Sequence, residues 1–173
     1  MTELMTIGYE GMALREFLDI LKRCRVTTLV DVRELPISRK PGFGKPALSA
    51  AVGQCGIKYE HLVNLGCPRD IRHQYRADGD WAAYTHKYKA YLETQLPSLH
   101  RLWNLMQAER CCLMCFEENF NFCHRSLVAQ RMLTVAGSPV RVLHLTGTMI
   151  GRVVGPVEDT GLLLLQQAGF NFL

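Results

Sequence analysis

The chain is most informative first in what it has little of. No apolar run approaches the roughly 20 residues that a bilayer-spanning helix requires, which excludes such a helix from the expected elements. No basic segment followed by an apolar core opens the chain, so no secretory leader is expected. No internal repeat, low-complexity tract or linker breaks the 173 residues, which excludes solenoid and multidomain readings. Charge of one sign is barely in excess: the net charge is +4, with a pI near 8.7. Such a balance suits an anionic ligand without requiring one, and by itself it does not make a nucleic-acid binder. Seven cysteines form an odd set, several of them inside apolar runs. A reduced, cytoplasmic protein with free thiols is therefore expected rather than a disulfide scaffold.

What is present is an ordinary globular composition, 48% hydrophobic and 21% charged, in a chain long enough to bury a real core. Residues 5–9 (MTIGY) read as a short strand, and Leu14, Phe17, Leu18 and Leu21 recur at helical spacing across 11–24. Residues 26–32 (VTTLVDV) are β-branched and read as a buried strand. Residues 34–46 hold three prolines and two glycines, and so form a loop. A short helix over 46–55 and a strand over 56–62 follow. Residues 66–79 are polar and read as a long loop or irregular helix. Asp80 is a good N-cap for a helix through Leu92. Pro97 interrupts it, and a second helix continues to about 109. A strand over 111–116, a loop, a helix over 124–136 ended by Gly137 and Pro139, and a strand over 140–145 complete the pattern.

Strands alternating with helices predict an α/β domain: a single open, mainly parallel, Rossmann-like sheet of about five strands flanked by helices. The expected domain spans residues 1–145. Residues 146–173 are expected to be a tail packed on that domain or at a homodimer interface, with the LLLL run at 162–165 as the contact. Ligands of parallel sheets bind beyond the carboxyl ends of the strands. Gly8–Tyr9, Asp31–Arg33, His61–Leu65, Cys115–Glu117 and His144 all fall there.

The densest chemistry lies in residues 113–133 (LMCFEENFNFCHRSLVAQRML), read as buried strand, loop and helix. Cys115, Glu117, Cys123, His124 and Arg125 surround that one turn. Cys123 opens a helix beside His and Arg, a setting that lowers a thiol pKa. Glu117 and Asp31 either form an acid–base pair or orient Arg33 and Arg125. Arg33, Arg39, Lys45 and Arg125 are expected to hold an anion, since helix N-termini and guanidinium forks both favour one. Arg125 is expected to face Asp31 and Arg33. A metal could draw on Cys115, Glu117, Cys123, His124 or His61, but these do not fall at strong paired spacings, and adjacent Cys123 and His124 are not expected to reach one ion. No metal ligand is assigned and no cofactor is identified.

Four ordered blocks carry a family resemblance: TIGYEG at 6–11, LVDVRELPISRKPGF at 29–43, GIKYEHLVNLGCP at 56–68 and CFEENFNFCHR at 115–125. Together they resemble the domain of unknown function 488 (YeaO-like) family across most of residues 5–145. The resemblance marks Gly8, Asp31, Arg33, Pro36, Ser38, Arg39, Cys115, Glu117, Cys123, His124 and Arg125 as family positions. It implies a fold and a site location, and no reaction. A fainter similarity to rhodaneses and cysteine phosphatases fails on spacing: nine residues separate Cys115 from Arg125 and one separates Cys123 from it, and neither gives their anion-cradling loop.

The expected catalytic set is Cys115, Glu117, Cys123, His124 and Asp31. The expected substrate-binding set is Gly8, Tyr9, Arg33, Ser38, Arg39, Lys45, His61 and Arg125. The function expected first is an enzyme acting on a nucleotide, nucleic acid or other phosphorylated substrate. Two alternatives stand beside it: a non-enzymatic nucleic-acid-associated or sensor module using residues 33–45 and 69–76, and Cys-based redox or metal chemistry.

Overall fold

In the computed structural model, which describes residues 2–147, five strands and six helices alternate along the chain. The order is β1 (Thr2–Gly8), α1 (Leu14–Arg23), β2 (Thr28–Asp31), α2 (Lys45–Gln54), β3 (Lys58–His61), α3 (Arg69–Asp78), α4 (Trp81–Glu93), α5 (Leu96–Ala108), β4 (Cys111–Cys115), α6 (His124–Val135) and β5 (Val140–Leu145). The strands form one sheet in the order β3-β2-β4-β1-β5, and every pairing is parallel. β4 therefore enters late and slots between β1 and β2. Its carboxyl end opens between theirs, which brings residues distant in sequence to one rim.

Helices cover both faces, and strand alternation divides the core between them. Leu4, Val30, Cys111 and Leu113 pack with α3 to α6; Met5, Ile7, Leu29, Cys112 and Met114 pack with α1 and α2. The expected parallel α/β sheet is thus found. Among the described residues, no helix is long and apolar enough to cross a membrane. The expected tail role of residues 146–173 lies almost wholly outside the described residues.

One element differs from the expectation. Residues 66–79 are not irregular: α3 is a regular helix, closed by Gly79 in the left-handed conformation (φ 68°). Its Arg-rich sequence hides a packing stripe, in which Ile71 and Tyr75 join the core beside Tyr84 of α4. The helix that Asp80 starts does end before Pro97, at Glu93, and a second helix follows, with Pro97 in the first turn of α5, where a missing N–H costs nothing. Asp80 caps α4 as expected, its side chain accepting from the Ala83 N–H at 2.9 Å.

Candidate functional site

Parity along the strands sorts the candidate residues into two groups. Val32 packs with the α3–α6 face, so Asp31, one residue earlier, points to the other face. There it is fully buried and holds Arg33, whose Nη2 lies 2.6 Å from Asp31 Oδ2 and whose Nε lies 2.9 Å from Oδ1. The Tyr59 hydroxyl donates to the same carboxylate at 2.5 Å. Burial opposes the charge on Arg33, but Asp31 more than offsets it, so the guanidinium pKa is raised. Arg33 spends its remaining donors on the Tyr9 hydroxyl and the Phe43 carbonyl, each at 2.9 Å. Tyr9 itself stacks on Phe43 at 4.2 Å. Asp31 and Arg33, for which the sequence left open both an acid–base or anion-holding role and mutual orientation, form an internal ion pair.

Arg125 departs further from its expected position. It is fully buried and faces neither Asp31 nor Arg33. Its two terminal nitrogens donate to the Glu117 and Glu118 carbonyls, the latter at 3.0 Å. Gly8 makes that approach feasible, because a Cβ there would stand 1.8 Å from the Glu117 carbonyl oxygen and 3.0 Å from Arg125 Nη1. Arg125 and Gly8 therefore clamp the loop that carries Glu117. Lys45 and His61 form a third group, hydrogen-bonded to each other at 3.3 Å, with His61 Nε2 also 2.8 Å from the Arg33 carbonyl.

The remaining candidates converge. Cys115 follows Leu113 and Cys111 onto the α3–α6 face of β4. Its Sγ lies 2.8 Å from Glu117 Oε2 and 3.6 Å from His124 Nδ1. Cys123 Sγ reaches the same Oε2 at 3.2 Å. Cys123 is the N-cap of α6, in extended conformation (φ −135°, ψ 137°), with His124 as the first helical residue. That change of backbone between neighbours turns two adjacent side chains toward one point, against the sequence-based expectation. The ligating atoms of Cys115, Glu117, Cys123 and His124 all lie within 4.8 Å of one another. Cys112 and Cys115, at C-x2-C spacing, do not pair: three residues apart in a strand, they point to opposite faces.

The electrostatics also corrects an expectation. Burial pushes the Cys123 thiol well above its ordinary pKa, outweighing the nearby His124, and burial likewise raises Cys115. A helix N-terminus does not make Cys123 a free thiolate, because the thiol is buried to 1% exposure. Glu117 is held low although burial opposes it, with the His124 charge and the Cys115 thiol as the main favourable influences. The His124 pKa is raised although burial opposes it, through Cys123, Glu117 and the Val32 carbonyl. His124 Nε2 lies 2.7 Å from that carbonyl, so Nε2 carries the proton and, in the neutral ring, Nδ1 keeps its lone pair.

Cys115, Glu117 and His124 floor a cleft of about 1180 Å³. Tyr9, Arg33, Ser38 and Arg39 line it among the expected residues. Ser38 Oγ accepts from the Lys40 N–H at 3.1 Å and so shapes the loop rather than reaching inward. The opposite wall is α3, whose Arg69, Arg72, His73 and Arg76 all face the cleft. The sequence reading offered residues 69–76 only as a basic segment of the alternative binding module and left these four out of the expected site residues. The signal was there in their i, i+3, i+4, i+7 spacing, which puts them on one face once the segment is a helix. Also missed were Tyr84, beneath the cleft, and the apolar margin of Leu35, Ile37, Phe116 and Phe122. Arg72 is paired to Glu34 at 2.8 Å, whereas Arg39 and Arg76 are exposed and make no ion pair among the described residues.

No curated protein and no solved structure matches the chain. Residues 13–132, well over half of the sequence, match the family described as Domain of unknown function DUF488, and the chain belongs to that family.

Proposed function

We propose that this chain is an enzyme acting on a nucleotide or single-stranded nucleic acid held in the cleft above Cys115, Glu117 and His124. The observation that carries the reading is the lining of that cleft. Arg39, Arg69 and Arg76 stand along its walls, and Phe116 and Phe122, 42% and 51% exposed, stand at its margin. Guanidinium forks suit phosphate oxygens. Exposed rings offer flat surfaces on which bases stack, whatever their sequence. The floor supplies an ionised carboxylate and an imidazole as proton-transfer groups beside two thiols. A cleft of about 1180 Å³ has room for a nucleotide with its flanking groups.

The test is binding of labelled nucleotides and short oligonucleotides across a salt series, followed by product analysis. The Arg39→Ala, Arg76→Ala double variant should bind at least about tenfold more weakly and lower the salt slope by roughly one per lost phosphate contact. Phe122→Ala should cost about 1–3 kcal/mol of binding if a base stacks there. Cys115→Ser and Glu117→Gln should bind normally and form no product. Unchanged binding by a folded double-arginine variant would sink the reading. Binding without any product from the unaltered chain would favour a non-enzymatic binding module with the same cleft, and product formation untouched by both floor variants would remove Cys115 and Glu117 from the chemistry.

A further inference from the structure

We propose that Cys115, Glu117, Cys123 and His124 are the ligands of one divalent transition-metal ion of the zinc or ferrous class. Four donors from three elements meet at one point: the end of β4, the loop after it, and the N-cap and first residue of α6. Their ligating atoms lie within 4.8 Å of one another, a spread that a small inward movement closes onto a tetrahedral ion. Two sulfurs and one imidazole select a soft or borderline ion and disfavour magnesium and calcium, which take oxygen donors.

Two further observations point to a cation. Glu117 Oε2 lies beneath the cleft at the meeting point of the cluster, and its hydrogen-bond donors among the described residues are the two thiols, at 2.8 Å and 3.2 Å. Thiols are weak donors. Arg125 donates to the Glu117 and Glu118 loop carbonyls and forms no ion pair with this carboxylate. The second observation is the support of His124. Its Nε2–H is anchored on the buried Val32 carbonyl at 2.7 Å, which fixes the ring and leaves Nδ1 as the ligating nitrogen. Outer contacts of that kind orient metal-bound histidines. Gly8 and Arg125 do the same for Glu117 by clamping its backbone.

The charge balance closes. Counted with His124 in the neutral form that can ligate, the unloaded site holds two neutral thiols, one carboxylate and one imidazole, a net charge of −1. On loading, two Cys S–H bonds break, two metal–sulfur bonds form, and both protons pass to solvent; the ion's 2+ charge replaces the two protons and the net charge stays at −1. The burial that keeps the free thiols protonated is thus no obstacle once an ion arrives. Glu117 is the most exposed of the four and faces the cleft, so it is the ligand that an incoming group would displace. The inference does not depend on the substrate assigned to the cleft.

The test needs no substrate. The full chain, reduced and stripped with chelator, is titrated with Co²⁺ and then Zn²⁺ while absorbance and proton release are followed. One Co²⁺ per chain should bind, giving tetrahedral visible bands and thiolate-to-metal charge transfer, with about two protons released per ion. Zinc should displace it. Cys123→Ser should weaken binding at least about a hundredfold, and Glu117→Gln, a milder change that spares the thiols, at least about tenfold. Cys55→Ser, remote from the cluster, should bind like the unaltered chain. No uptake by the reduced chain, or uptake equally strong in Cys123→Ser and Glu117→Gln, would overturn the proposal, whatever nucleotides do in the cleft.

Discussion

At the scale of single residues, the sorting principle is which side of the sheet a side chain leaves. Asp31 and Cys115 end neighbouring strands, yet they serve separate purposes because they lie on opposite faces. Asp31 secures Arg33 and, through it, Tyr9 and the residue 43 loop carbonyl. Removing its charge leaves a guanidinium at 6% exposure without its anionic partner. Asp31→Asn should therefore destabilise the fold by about 3–5 kcal/mol, read from the shift in a urea midpoint, while Asp31→Leu together with Arg33→Met should recover much of that loss. If Asp31 were instead a member of the reactive group, the single variant would lose activity with stability intact.

At the scale of elements, the β4–loop–α6 unit is built against the usual preferences. No acidic residue lies in the first turn of α6, and Arg125 stands there, at the positive end of the helix. The arrangement holds because Arg125 is spent on loop carbonyls, and because Ser126 Oγ donates to the Phe120 carbonyl at 2.6 Å. α4 supports this unit from below. Tyr88 donates to the Leu65 carbonyl at 2.6 Å and lies edge-on to His124, with ring centroids 5.5 Å apart. Trp81 meets Phe122 at 5.6 Å. The start of α4 is set by Asp80, so Asp80→Ala should cost about 1 kcal/mol of global stability in thermal or urea unfolding. Asp80→Asn, which keeps an acceptor, should cost much less.

At the scale of the whole molecule, buried ionisable groups set a pH window for stability. His144 has its pKa lowered from 6.5 to about 4, first by burial and then by the Arg125 charge. The unfolded chain therefore takes up a proton that the folded chain refuses, and stability falls as pH drops from 6.5 toward 4. Glu117 is also depressed, so its contribution is present above its ordinary 4.5 and is lost as pH falls further. Cys67 and Cys111 are pushed up by burial to about 11 and about 12, from an ordinary 9.0. Their contribution is complete below 9.0 and is lost as pH rises beyond it, when unfolded thiols ionise. His124, whose pKa is raised, acts the opposite way to His144: its contribution is full below 6.5 and is lost as pH rises through its folded value. Stability measured by urea unfolding should thus carry a His144 loss between pH 6.5 and 4 and a thiol loss above pH 9, each group contributing a slope of up to about 1.4 kcal/mol per pH unit. His144→Gln should flatten the acid limb above pH 4, and Cys111→Ala the alkaline one.

Much of the fold was legible in the sequence, because its signals are local and repeat. Apolar periods placed the helices, β-branched runs the strands, and Asp80 a helix start, and their alternation implied a parallel sheet with one functional rim. The segment from Cys115 to Arg125 was legible as chemistry because reactive residue types crowd one turn. What the sequence could not decide was the partner of each group. That depended on β4 inserting between β1 and β2, on strand parity separating Asp31 from Cys115, and on the backbone turn at Cys123 that points neighbouring side chains together. It depended equally on burial, which made Arg125 a clamp and turned the expected thiolate at Cys123 into a protonated thiol. Residue type and spacing by themselves determined that reactive side chains crowd this rim. Only the tertiary structure decided which residues share it, because pairing and desolvation arise between segments that the chain holds far apart.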